Sequence, residues 1–255
     1  MFKNLYQYRE FLKTSVLKDF RGKYKKSFLG VLWSFINPLL QLLIYSIVFS
    51  FIMRAGIDNY ACFLIVALIP WTFFNATLIQ STTSIVNNAG IVKKVYFPRE
   101  ILPISTVTSN LLNFVISCII IVAALLITGV GLSWYILLLP LILLVQYILL
   151  IGLSFVLSSI TVYIRDLEYF INVLMMLWFY LCPVVYSVDF IPDKWMPLFN
   201  LNPMLHIINA YRDILFYKKL PDMANLGIWF VISSLIALIG YKIFKGLEKR
   251  FAEEL

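Results

Sequence analysis

Residues 93–100, KKVYFPRE, place two lysines, two adjacent aromatic rings, a proline and an Arg–Glu pair in eight positions. Charges around paired rings are the chemistry of a protein contact. Tyr96 and Phe97 could anchor in an apolar pocket, while Lys93, Lys94, Arg99 and Glu100 set orientation from its rim. Pro98 and Pro103 stiffen and interrupt the backbone here, which charge anchoring alone does not require. In YIRDLE, residues 163–168, Arg165 and Asp166 stand side by side. A local ion pair closing a tight turn is the simpler account of them, and a second docking contact is the alternative. Two aromatic trios, Trp71, Phe73 and Phe74, then Trp178, Phe179 and Tyr180, present ring faces that suit the CH surfaces of sugars. The same rings equally suit helix packing.

Other chemistry is scarce. His206 is the one histidine, which is too few for a histidine metal site and points to a solvated or capping role. Cys62, Cys118 and Cys182 each stand alone in apolar sequence, so neither a disulfide framework nor a zinc site is indicated. A lipid-modifying transferase needs clustered carboxylates at the membrane surface, yet at the cytoplasmic turns only Asp166 and Glu168 cluster, with Arg165 beside them. No G-x-x-x-x-G-K-[ST] phosphate loop occurs, so nucleotide hydrolysis is not expected on this chain.

The elements that must position these residues are apolar helices. Of 255 residues 62% are hydrophobic and 13% charged, against roughly half and a quarter in soluble domains. Uncharged runs cover 27–53, 59–92, 101–164, 169–188, 195–211 and 223–241, and about 20 apolar residues suffice to cross a bilayer. An all-α polytopic membrane protein is expected. Alternating barrel strands are not, since the runs do not alternate. The 101–164 run is long enough for two helices, and TGVGLS at 128–133 is its turn. Six spans are therefore expected over about 30–53, 60–82, 104–127, 134–162, 169–187 and 224–244, with a kink at Pro140. Between the last two, 188–223 carries four prolines and apolar pieces too short to cross, which suggests re-entrant or interfacial helices around Asn202 and Pro203.

Ahead of the first span, Phe2, Leu5, Tyr8, Leu12, Val16 and Phe20 recur at helical spacing with charges between them. That pattern predicts an amphipathic helix lying at the membrane interface over 2–20, within a separate basic segment 1–26. This segment is charged throughout and does not read as a cleavable signal. With it on the cytoplasmic side, 16 Lys and Arg lie inside and 5 outside, which places both termini in the cytoplasm. The net charge of +8 is thereby explained without nucleic acid, for which no module is present. Ion-coupled carriage is disfavoured too, since no ionisable residue falls at the centre of an expected span.

The abrupt change at YKKSFLGVLWSFINPLL, from lysines to uncharged residues, is explained as a topology anchor, but its Leu29, Gly30, Trp33 and Pro38 are not. This stretch resembles the start of permease subunits of ABC-2 type exporters for polysaccharides, O antigen and teichoic acids. LIPWTFFNATL (68–78), KKVYFPREILP (93–103), YIRDLEYF (163–170), LCPVVYSVDFIP (181–192) and NLNPM (200–204) resemble further family elements in the same order. The resemblance implies a homodimer around a channel, with two copies of a separate ABC ATPase supplying ATP and Mg, and no cofactor on this chain. It implies a coupling helix over 93–100, with Arg165 and Asp166 as a further contact. Trp33, Trp71, Phe73, Phe74, Trp178, Phe179, Tyr180, Asn202 and Pro203 would then belong to the channel or gate. The implied cargo is a lipid-linked glycan crossing a bacterial plasma membrane. An ABC-2 exporter of another lipid-like or drug substrate is the alternative.

Overall fold

The computed structural model describes residues 6–22, 27–52 and 56–255. Phe2 and Leu5 of the expected amphipathic helix, Lys23, Lys25 and Lys26, and Arg54 lie outside them. All regular structure among the described residues is helical. In chain order it comprises α1 (Arg9–Gly22), α2 (Trp33–Ser46), α3 (Tyr60–Thr82), α4 (Ala89–Lys94), α5 (Ile101–Ile127) and α6 (Leu139–Tyr163). Then follow α7 (Leu167–Tyr180), α8 (Met196–Phe199), α9 (Pro203–Leu215), α10 (Met223–Leu247) and α11 (Phe251–Glu254). Five helical stretches, Gly30–Ser50, Tyr60–Thr82, Ile101–Ile127, Trp134–Tyr163 and Met223–Glu254, are long and apolar enough to cross a membrane.

α3 is the hub. From Cys62 to Ile69 no residue is more than 2% exposed, and α2, α5, α6, α7 and α9 all pack against it. Apolar helix faces need cover from protein or lipid, and around this stretch protein supplies it. Polar side chains tie the neighbours to it: Gln146 of α6 donates to the Pro70 carbonyl at 2.9 Å, Ser154 to the Ser81 hydroxyl at 2.9 Å, and Asn110 of α5 to Gln80 at 3.1 Å.

The prolines sit where their missing N–H is tolerated. Pro38 is buried inside α2 and cannot bond the carbonyl of Ser34 one turn earlier. Ser117 of α5 donates to that carbonyl instead, at 3.4 Å. Ahead of α2, Gly30 takes a left-handed φ of 51°, which glycine adopts without steric cost. Pro140 lies in the first turn of α6, after a 3-10 turn over Trp134–Leu138. The expected kink at Pro140 is thus a helix start, because first-turn N–H groups have no intrahelical acceptor.

α6 and α10 touch backbone to backbone. A Cβ placed on Gly240 would fall 2.4 Å from the Gly152 carbonyl oxygen, and one on Gly152 would fall 2.7 Å from the Ala237 nitrogen. Close approach through small residues lets apolar helices associate where the hydrophobic effect is absent.

The span expected over 169–187 is a shorter helix, α7, which ends at Tyr180. Pro183 lacks a donor and pushes Cys182 away from helical backbone, so a turn follows. Both described chain ends meet on one side of the bundle, here the terminal side: Phe11 stacks on Phe97 with ring centroids 4.9 Å apart, and Arg99 donates to the Glu248 carbonyl. The opposite side, with α8 and α9, is the far side.

Candidate functional site

On the terminal side the 93–100 segment is not the single helix expected. α4 stops at Lys94 and Val95 is extended, with φ −125° and ψ 135°. Pro98 accounts for this, since it disfavours helical backbone at Phe97. The segment divides by exposure. Lys93, Lys94 and Val95 point outward, and Tyr96 is 96% exposed. Phe97 is buried against Phe11 of α1, so the expected anchoring pair of rings reduces to Tyr96 alone.

Arg99 and Glu100 are not rim charges either. Glu100 is fully buried and accepts from Lys245 of α10 at 2.6 Å, and Lys245 also reaches Glu248 at 2.8 Å. Arg99 holds the Glu248 carbonyl. A buried carboxylate is tolerable only with such partners. Tyr163 donates to the Leu247 carbonyl at 2.7 Å, joining the end of α6 to the same clasp. At the α6–α7 turn Arg165 and Asp166 are exposed. No ion pair joins them among the described residues, so the expected local pairing is not formed. The turn is held by backbone bonds instead, Glu168 N–H to the Arg165 carbonyl at 3.2 Å and Phe170 N–H to the Asp166 carbonyl at 3.1 Å.

The two aromatic trios converge. Trp71 packs on Phe74 and on Phe179, both at 5.7 Å, Phe74 on Trp178 at 5.3 Å, and Phe73 on Phe114 at 5.2 Å. Trp71, Phe73, Phe74 and Phe179 are buried within the protomer. Their ring faces are occupied by other rings, which corrects the expectation that they line a channel. Of the nine residues expected there, Tyr180, at 61%, and Trp33, at 39%, are the exposed aromatics. Asn202 ties α7 to α9: its Oδ1 accepts from Trp178 Nε1 and from Met204 N–H, each at 3.0 Å. Its Nδ2 donates to the Leu181 carbonyl at 3.0 Å. Pro203 opens α9 beside this cap. His206 is bound to the Asn200 carbonyl at 2.9 Å and packs on Trp229 at 5.3 Å rather than standing free. Nearby, the Asn225 backbone N–H holds the Asp222 carboxyl below the usual carboxylate range.

Sequence reasoning gave Arg212 no role beyond counting it among the five basic residues outside. It is 2% exposed. Its guanidinium donates to the carbonyls of Pro183, Val184 at 2.8 Å and Tyr186 at 3.3 Å, and lies 3.5 Å from the Phe63 ring centroid. Nε has no partner among the described residues. The α7–α8 connection, left with unpaired carbonyls after Pro183, thus takes its donors from α9. One signal was available: Leu205, Ile208, Arg212 and Leu215 fall on one helical stripe, so the arginine sits on the apolar face. Beside it Tyr211, fully buried, donates to Gln146 at 3.1 Å. Among the described residues no three His, Cys, Asp or Glu side chains are grouped to hold a metal ion.

Comparison with known proteins adds to this geometry. Residues 10–216 match the family described as ABC-2 type transporter. The O-antigen export system permease protein RfbA of Myxococcus xanthus is 33% identical, over 99% of this chain and 98% of its own length. A protein of the same name from Klebsiella pneumoniae is 38% identical, over 93% of this chain and 92% of its own. The polysialic acid transport protein KpsM of Escherichia coli is 21% identical, over 91% of this chain and 92% of its own.

Proposed function

This chain belongs to the ABC-2 type transporter family, and we propose that it is the permease subunit of an ATP-driven exporter. Its cargo is a lipid-linked polysaccharide, and its location the bacterial inner membrane. The observation that carries this reading is full-length similarity to O-antigen export permeases on a chain with five span-length apolar helices. A polar glycan cannot enter hydrocarbon, where each unsatisfied polar group costs several kcal/mol. A protein path is therefore required.

The ATPase, in two copies and carrying ATP and Mg, docks on Lys93, Lys94 and Tyr96, which leave the surface free for a partner. Arg165 and Asp166 are the second exposed patch on that side. Both termini are cytoplasmic, as the lysine and arginine distribution demands. Segment 1–26, with α1, is the interfacial element, and 27–255 the transmembrane domain. α7 and the turn after it make the sixth crossing, because α6 ends on the terminal side beside Leu247 and α10 begins on the far side. α8 and α9 are re-entrant. Two copies pair through faces that this protomer leaves bare, among them the exposed Leu40, Leu43 and Ile44 of α2 and Tyr169, Val173 and Tyr180 of α7.

Deleting the gene in its own host should abolish surface polysaccharide while the lipid-linked precursor accumulates inside. Plasmid-borne copies should restore it. Unchanged surface polysaccharide in the deletion strain would overturn the assignment.

A further inference from the structure

On the terminal side a cleft of about 860 Å³ opens beneath the end of α3, between α1, the α3–α4 connection and the first turns of α5. That is within the range of roughly 300–1,000 Å³ typical of small-molecule sites. At the end of α3 and in the connection after it, Gln80, Thr83 and Asn87 line the cleft together with Lys18 and Arg21 of α1. Apart from Gly22 every lining residue has a polar side chain. The cleft thus carries polar side-chain ends on a wall whose accessible surface is otherwise mostly apolar.

Its hydrogen-bonding capacity is partly unspent. Arg21 makes no hydrogen bond or ion pair among the described residues. Lys18 spends one donor on Asn88, at 2.8 Å, and pairs with Asp19 at 3.8 Å, keeping half its side-chain surface exposed. Gln80 Oε1 accepts from Asn110 at 3.1 Å, which leaves the Gln80 amino group for the cleft. Asn87 donates to the Thr83 hydroxyl oxygen at 3.0 Å, which frees the hydroxyl proton to donate. The one carboxylate lining the cleft, Asp19, is bound to Ser105 at 2.9 Å. What remains is mainly donors, two of them cationic, with the Asn87 carbonyl as an acceptor. That set fits phosphate oxygens joined to a hydroxyl-bearing group.

We infer that this cleft binds the phosphate headgroup of the exported glycolipid before translocation, with Lys18 and Arg21 on phosphate and Gln80, Thr83 and Asn87 on the adjoining sugar. The inference rests on the exporter reading. The same phosphate chemistry could come from bulk anionic lipid, so the test separates the two sources.

The transporter, with its ATPase, is reconstituted in phosphatidylcholine nanodiscs and titrated with a polyprenyl diphosphate or with phosphatidylglycerol, bound lipid being counted by native mass spectrometry. Expected for Lys18→Gln/Arg21→Gln is a roughly tenfold loss of polyprenyl diphosphate affinity, with phosphatidylglycerol binding unchanged and the charge-retaining Lys18→Arg/Arg21→Lys near wild type. Should the double variant not assemble, the single Arg21→Gln, at an exposed residue, provides the same readout. Unchanged diphosphate binding overturns the site, and an equal loss for phosphatidylglycerol reduces it to a general lipid contact. Either result leaves the exporter reading standing if the wild type still exports polysaccharide. Failure of the wild type to bind the diphosphate at all would likewise overturn the site, whereas the exporter reading falls only with the deletion strain.

Discussion

The two ends of the bundle are closed by different chemistry. On the terminal side Glu100, Lys245 and Glu248 form a chain of ion pairs in which Lys245 keeps 31% of its side-chain surface exposed. On the far side Arg212 is 2% exposed and, among the described residues, is held by three carbonyls and a ring rather than by a carboxylate. Half-wet ion pairs can exchange partners with water and feel salt. A dry cation held by a planar fork cannot let go without stranding its own charge and the carbonyls together. The terminal closure is thus the one open to exchange with water and salt, and the far-side closure the one built to hold its shape.

Arg212→Met should break this contrast most severely, at about 3–5 kcal/mol, the range for removing one partner of a buried charged set. SDS-induced unfolding of the purified protein reads this directly. Arg212→Lys sharpens the point: one ammonium cannot reach three carbonyls in a plane, so much of the loss should remain. A Lys variant as stable as wild type would sink the fork argument. Gly240→Val should cost about 3 kcal/mol, at the upper end for overpacking, because the α6–α10 seam runs between the two ends. Protease protection near Pro183 and near Glu248 should fall together, and loss at one end only would contradict a shared seam.

Glu100→Gln should cost less, about 2 kcal/mol, because Lys245 retains Glu248 and water. Its effect should shrink in high salt whereas that of Arg212→Met should not; equal salt response at both sites would erase the distinction. Lys93→Glu/Lys94→Glu should leave unfolding unchanged, both side chains being exposed, while reducing co-purification of the ATPase several-fold. Full retention of the ATPase would move the docking surface elsewhere.

Much of the fold was legible in the sequence because apolar length is a one-dimensional signal. The expected 60–82 and 134–162 lie within one residue of Tyr60–Thr82 and Trp134–Tyr163. The 169–187 estimate overran α7 because composition stays apolar past Tyr180, while backbone donors stop at Pro183. At the candidate site, KKVYFPRE displayed its charges and rings but not their directions. Phe97 turns inward against Phe11 while Tyr96 stays outward, and an extended Val95 was not anticipated. Glu100 finds Lys245 145 positions away, and no local pattern encodes that.

Sequence alone determined that this chain lives in a membrane, how many residues each long crossing takes, and which family it resembles, since all three depend on residue order and solvent preference. Tertiary structure decided which polar groups are spent on the protein itself. Arg212, Gln146, Asn202 and Glu100 are expensive to bury until a distant partner is brought within about 3 Å. Only the packing of α3, α6, α7, α9 and α10 into one bundle supplies those partners.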